Sequence, residues 1–272
     1  MNEFEFLPSA TIGQYIPTGS LLHRIDPRAK LVGFGLLMLG VTFSRSMVGI
    51  GAGLVAVIVG ILISRISLKY ALRGLLPPLP FMILIALLQF FFYPSPGTSI
   101  IFRLGPAVLS TAGILAGLLI VLRFFTLILA ISLVSFVTST LELIHGLQKL
   151  LSPLNRVGIP TMDFVMVVQV TFKFIPFLAQ SAERIAKAQA SRGAEWSGKT
   201  RGLMGRVRQI IPLIIPLFTT SLRRAETMAL AMDARAYGYK TNRTSMTEFS
   251  FTWRDGVFIF LLAAIAAAVL FL

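Results

Sequence analysis

Apolar residues run almost unbroken from Leu31 to Phe43, Met47 to Ser64, Leu75 to Tyr93, Pro106 to Val137 and Gly256 to Leu272. The natural solvent for such runs is a bilayer, where a spanning helix needs about 20 apolar residues. The pattern predicts an all-α integral membrane protein with about five transmembrane helices. Pro77, Pro78 and Pro80 interrupt the third run early, which a membrane helix tolerates where neighbours satisfy the freed backbone groups. The fourth run is roughly thirty residues long, more than a bilayer requires. It should tilt, break or project beyond the membrane.

Between Ser139 and Arg254 the pattern changes to three amphipathic stretches. The first opens at Ser139 with Glu142 three residues on, a capping box. Leu143, Ile144, Leu147, Leu150, Leu151 and Leu154 follow at helical spacing, until Pro153 and the Gly158-Ile159-Pro160 turn end it. The second runs from Thr161, a good N-cap, to Arg192, with Asp163 in its first turn and Gly193 as its stop. Its apolar face comprises Phe164, Val167, Val168, Thr171, Phe172 and Ile175; beyond Pro176 it turns polar, with Glu183 and Lys187 four apart. The third runs from about Gln209 to Ala236, with Pro212 and Pro216 near its start and Gly238 closing it. The expected organisation is a membrane domain over residues 1–138 with four spans, and a cytoplasmic module of three amphipathic helices over 139–254. Those helices fall at about 139–155, 161–192 and 209–236. A last span covers 255–272.

Composition agrees with a membrane location. Hydrophobic residues make up 56% of the chain and charged residues 13%, against about 25% charged in soluble domains. The net charge of +14 would suggest nucleic acid in a soluble protein. Here it reflects the cytoplasmic bias of Lys and Arg in membrane proteins, so no nucleic-acid partner is expected. Arg24, Arg28 and Lys30 precede the first run, and Arg65, Lys69 and Arg73 lie between the second and third; the opposite loops carry Arg45 and Arg103. This asymmetry places the N-terminus in the cytoplasm, with the basic segment 139–254. Residues 1–19 lack the basic start and apolar run of a secretion signal. With no cysteine and two scattered histidines, thiolate and histidine metal sites are not expected.

One motif suggests nucleotide binding. Gly193, Gly198, Lys199 and Thr200 match the phosphate-loop pattern G-x-x-x-x-G-K-[ST]. That loop works only when a strand feeds it into a helix N-terminus. Here it follows an amphipathic helix, with Glu195 inside the supposed cradle. The match is read as coincidence. A second feature carries more weight. The long second and third stretches both end in a small-Arg-small tripeptide, Ser191-Arg192-Gly193 and Ala234-Arg235-Ala236. A lone arginine there serves the helix dipole. A pair flanked by small residues suits close approach by a partner's carboxylates or carbonyls.

The segment SLLHRIDPRAKL (Ser20–Leu31), the segment LELIHGLQKLLSPLNRVGIP (Leu141–Pro160) and the two tripeptides, in this order, resemble the transmembrane T component of energy-coupling factor transporters. That family also includes the cobalt transporter permease CbiQ. The resemblance covers nearly the whole chain. It implies a non-catalytic subunit in the prokaryotic cell membrane that joins two ATP-binding-cassette ATPases to a substrate-binding membrane protein, the S component. Arg192 and Arg235 would dock into the ATPases, which bind the ATP and magnesium; this chain would hold no cofactor. ATP-driven motion would pass to the S component, which releases a vitamin or metal ion inside. Ala236 stands where the commoner pattern has glycine.

Two other readings remain open. A conventional ABC permease would bind its ATPase through one short loop helix. A membrane enzyme would need clustered ionisable residues, and the eleven carboxylates are scattered. Arg123 lies within the fourth run, where a charge is either functional or reaches an interface or neighbouring helix end. His145 is expected at a surface, and His23 could pair locally with Asp26.

Overall fold

The computed structural model describes residues 15–93, 100–104, 107–153, 161–193, 203–239 and 250–272. After a 3-10 turn at Leu21–Arg24 come α1 (Pro27–Phe43), α2 (Met47–Ile63), the short α3 (Leu68–Arg73) and α4 (Leu79–Phe92). Strands β1 (Ile100–Leu104) and β2 (Ala107–Ser110) pair antiparallel, with Arg103 opposite Val108. Then follow α5 (Thr111–Val137), α6 (Thr140–Leu151), α7 (Thr161–Ser191), α8 (Leu203–Ala234) and α9 (Trp253–Phe271). The protein is an all-helical membrane protein apart from this hairpin. Among the described residues, three helices are long and apolar enough to cross a membrane: α5, α9 and the Asp163–Ser191 part of α7. Shorter apolar helices are α2 and α4.

The starts of the spans follow local chemistry. Asp26 caps α1 by accepting from the Arg28 N–H at 3.0 Å, with Pro27 at the first helical position, where its missing N–H costs nothing. The helix thus begins four residues before its apolar run. The over-long fourth run breaks: its first residues form β2, and Ser110 caps α5 by accepting from Gly113 N–H at 3.0 Å. Pro77 and Pro78 precede α4, and Pro80 lies in its first turn, so none kinks its interior.

The described elements divide into two compact units: α7 with α8, and the rest. In the larger unit α1 packs along α9, with the Phe34 and Phe258 rings edge to face at 5.7 Å. Phe34, Leu37, Val57, Ile61, Leu129, Leu133 and Phe136 form its core, drawn from α1, α2 and α5. The sequence reading grouped α6 with α7 and α8; by packing, α6 lies on α1 within this unit.

A buried polar junction ties the helix ends of the larger unit. Lys30, one turn into α1, is fully buried. Its ammonium donates to the carbonyls of His23 and Val137, both at 3.1 Å, and lies 3.5 Å from Glu142 Oε2. Val137 is the last residue of α5, so the ammonium caps that C-terminus, where a cation is favoured. Glu142 completes the expected capping box with Ser139 at the start of α6. Nearby, the Asp26 N–H donates to Asp255 Oδ1 at 2.8 Å, while Asp255 Oδ2 accepts from Thr252 N–H at the start of α9. His23 bonds to Ser20 Oγ at 2.7 Å and to the Ile16 carbonyl at 2.8 Å. The expected His23–Asp26 pair is replaced, because Asp26 is committed to the N-terminus of α1.

Arg123 takes the neighbouring-helix alternative. Its guanidinium donates to the carbonyl of Ser44, the C-cap of α1. The charge sits at the negative end of that helix dipole. His145 is half-buried on α6.

Candidate functional site

The smaller unit is built from two long amphipathic helices, each with proline inside: Pro176 in α7, Pro212 and Pro216 in α8. The sequence placed Pro212 and Pro216 near the start of the third stretch. In the structure α8 starts at Leu203, so both lie in the helix interior. Each proline leaves a carbonyl one turn back without its helical N–H.

The helices touch at the middle of α7 and in the C-terminal half of α8. The Arg224 guanidinium lies over the Phe177 ring, 4.9 Å from its centroid, a cation–π contact. Phe174 meets Phe177 edge to face at 6.2 Å, and Lys173 and Met228 complete a hollow of about 130 Å³. Sequence reading missed this pair. An arginine opposing an aromatic on a second amphipathic helix was the available signal, but the pairing spans two helices and shows no local spacing.

From this contact each helix runs on to its arginine. Arg192 lies fifteen positions beyond Phe177, and Arg235 eleven beyond Arg224. At 1.5 Å per residue these arms measure about 22 Å and about 16 Å. Glu183 and Lys187 form an exposed pair at 2.6 Å along the first arm.

The two tips end in the same way. α7 ends at Ser191, Arg192 follows as the C-cap, and Gly193 turns left-handed with φ +87°. Gly193 N–H donates to the Ala190 carbonyl at 3.0 Å. α8 ends at Ala234, Arg235 follows, and Ala236 takes φ +55°. Ala236 N–H donates to Asp233 at 2.8 Å and Tyr237 N–H to Met232 at 3.0 Å. Those two bonds make a Schellman motif. The expectation that Gly238 closes the third helix is therefore corrected. The stop is Ala236, two residues earlier, and Gly238 makes a further left-handed turn at φ +96°. The first tripeptide supplies glycine where the left-handed turn falls. The second forces alanine into it, at a cost of about 1 kcal/mol.

The small-Arg-small pattern thus has a geometric meaning. Its three positions are the last helical residue, the C-cap and the left-handed stop. Ser191, Arg192, Gly193, Ala234, Arg235 and Ala236 are all exposed. Among the described residues neither Arg192 nor Arg235 has an ion-pair partner. Glu195, Gly198, Lys199 and Thr200 of the phosphate-loop match lie outside the described residues.

The helices leave apolar surface open as well. Ile211, Ile214, Ile215, Phe218 and Leu222 of α8 are each more than 40% exposed. Phe164 and Val167 of α7 are exposed too. Their spacing makes broad apolar stripes, and contiguous exposed patches of this kind mark contact with lipid or a partner.

The fold and site define a multi-helix membrane protein in which two long amphipathic helices each present an exposed C-capping arginine. Comparison with known proteins makes this particular. Residues 18–246 match the family model described as CbiQ, cobalt transport protein. The chain is 36% identical over 251 residues to the energy-coupling factor transporter transmembrane protein EcfT of Brevibacillus brevis, covering 92% of this chain and 93% of that one. It is 33% identical over 268 residues to the protein of the same name from Bacillus subtilis, covering 98% and 99%. A Thermosediminibacter oceani relative with that name is 36% identical over 245 residues, covering 90% and 91%. The chain belongs to this family, the transmembrane components of energy-coupling factor transporters.

Proposed function

We propose that this chain is the coupling subunit of an ATP-driven importer, with no catalytic site of its own. α7 and α8 dock two ATP-binding-cassette ATPases, one through Arg192 and one through Arg235. Movement of the ATPases passes along the two arms to a substrate-binding S component, which releases a vitamin or transition-metal ion inside the cell. The N-terminus and the segment 139–254 face the cytoplasm. ATP and magnesium belong to the ATPases.

One observation carries this reading: Arg192 and Arg235 occupy the same C-cap position on two helices, exposed and unpaired among the described residues. A guanidinium offers five donors in a rigid fork suited to carboxylates. Left open to water at two equivalent places, it suits two equivalent partners. The apolar stripes on α8 supply a second kind of surface, suited to a membrane partner such as the S component.

The test is co-purification. The wild-type chain, expressed with its neighbouring ATPases and S component, should retain all of them. Arg192→Glu with Arg235→Glu should insert into the membrane at wild-type levels and lose both ATPases. Retention of the ATPases by that double variant would contradict the assignment.

A further inference from the structure

The two arms repeat in sequence. Glu183, Ala186 and Arg192 recur as Glu226, Ala229 and Arg235, each 43 positions later. The repeat runs past the helix ends: Trp196 lies four residues after Arg192, and Tyr239 four after Arg235, again 43 apart. An aromatic residue thus keeps register with each arginine, although the residues between them differ. Ala194 and Glu195 precede Trp196, whereas Tyr237 and Gly238 precede Tyr239. Trp196 lies outside the described residues, so the geometry is that of the second arm.

Tyr239 is held close to Arg235, and its ring is left open. Its N–H donates to the Ala236 carbonyl at 3.2 Å, which closes a four-residue turn. Gly238 is third in that turn, and its φ of +96° is the left-handed conformation a type II turn demands there. Such a turn keeps its first and last Cα atoms within about 7 Å. The Ala236 and Tyr237 N–H groups tie the start of the turn to the last residues of α8. The backbone from Arg235 to Tyr239 is therefore fixed by its own hydrogen bonds. Tyr239 itself is 88% exposed, and its side chain has no hydrogen-bond or ring partner among the described residues. A Cβ added at Gly238 would meet nothing within 4 Å, so the turn leaves room for an approaching surface.

We propose that Tyr239 is a second anchor for the ATPase that Arg235 meets. The ring fills an apolar slot beside the group that receives the guanidinium, and the hydroxyl bonds at the mouth of that slot. This rests on the docking role proposed for Arg235. Three observations select that partner. The shared register ties the aromatic residue to the arginine. The turn places it at the tip, beside the arginine. It also stands clear of the apolar stripe on α8: Leu222 lies twelve residues before the end of that helix, about 18 Å along its axis. Arginine and tyrosine are enriched among the residues that carry interface binding energy, and tyrosine offers a large ring with only two torsions to fix. A bilayer interface also takes tyrosine, but Glu226 and Asp233, both exposed on this arm, oppose an anionic lipid surface.

Titration of the full chain in detergent with its ATPases tests this. Tyr239→Ala should weaken ATPase binding by about thirty-fold or more, the loss that marks an anchor residue. Tyr239→Phe keeps the ring and gives up one hydrogen bond, so it should weaken binding by less than about ten-fold. Neither change should move the melting temperature, since the ring is exposed. Wild-type affinity in Tyr239→Ala, with ATPases lost from Arg235→Glu, would overturn the anchor and leave the docking role standing. Wild-type affinity in both variants would overturn the two together. Benzoylphenylalanine at position 239 of the intact complex should cross-link to an ATPase on illumination. Its capture of lipid or of the S component in place of an ATPase would overturn the proposal.

Discussion

Lys30 and the pair Arg192 and Arg235 are cations treated in opposite ways. Lys30 is fully buried, and its ammonium meets two carbonyls and a carboxylate of its own chain. Arg192 and Arg235 stand exposed at helix tips. The first charge is saturated internally and holds α1, α5 and α6 together. The other two are left unsaturated. A charge whose bonds are complete can only stabilise, whereas one presented on a rigid tip is available to another molecule. On the proposed reading, Lys30 belongs to the frame and the tips of α7 and α8 to the contact surface.

Charge reversal should separate the two most sharply. Arg192→Glu or Arg235→Glu alone should weaken ATPase binding by at least about thirty-fold, since losing one partner of a buried interfacial charge pair costs about 2 kcal/mol or more. The melting temperature should not move. Pull-down titration and thermal melting of the same samples check both halves. Lys30→Ala should do the reverse. Removing one member of a buried ionic junction costs about 3 kcal/mol, read as a large drop in melting temperature in detergent. The fraction that remains folded should bind ATPases with unchanged affinity.

Smaller effects refine the contrast. Arg123→Met removes the cation that caps α1 at Ser44, and should cost about 1–2 kcal/mol with ATPase binding intact. Ala236→Gly relieves a left-handed alanine. It should raise stability by up to about 1 kcal/mol and leave Arg235 in place, with docking unchanged in a competition assay.

The sequence exposed one side of this contrast better than the other. The apolar runs located α1, α2, α4, α5 and α9, because membrane helices are defined by local composition. The Ser139–Glu142 capping box was legible because its partners are three residues apart. Lys30 looked like one more cytoplasmic charge. Its partners, Val137 and Glu142, are 107 and 112 residues away, so no local pattern marks it as buried. A break was one of three outcomes expected of the fourth run, but the strand that forms there was not foreseen. The arginine tips were legible as a repeated tripeptide. Their shared C-cap geometry was only half legible, since nothing in Ala-Arg-Ala announces that alanine takes the left-handed turn. The resemblance to energy-coupling factor proteins supplied partners that no spacing within this chain could name.

The central claim is that two equivalent tips hold two ATPases on the cytoplasmic side. The chain contains no cysteine, so single cysteines at Ser191→Cys and Ala234→Cys report without background. Each, in the intact complex, should cross-link to one ATPase through a short bifunctional maleimide reagent, and the double variant should capture two ATPases per chain. Cross-linking of neither site to an ATPase, or of both sites to a single ATPase copy, would contradict the account.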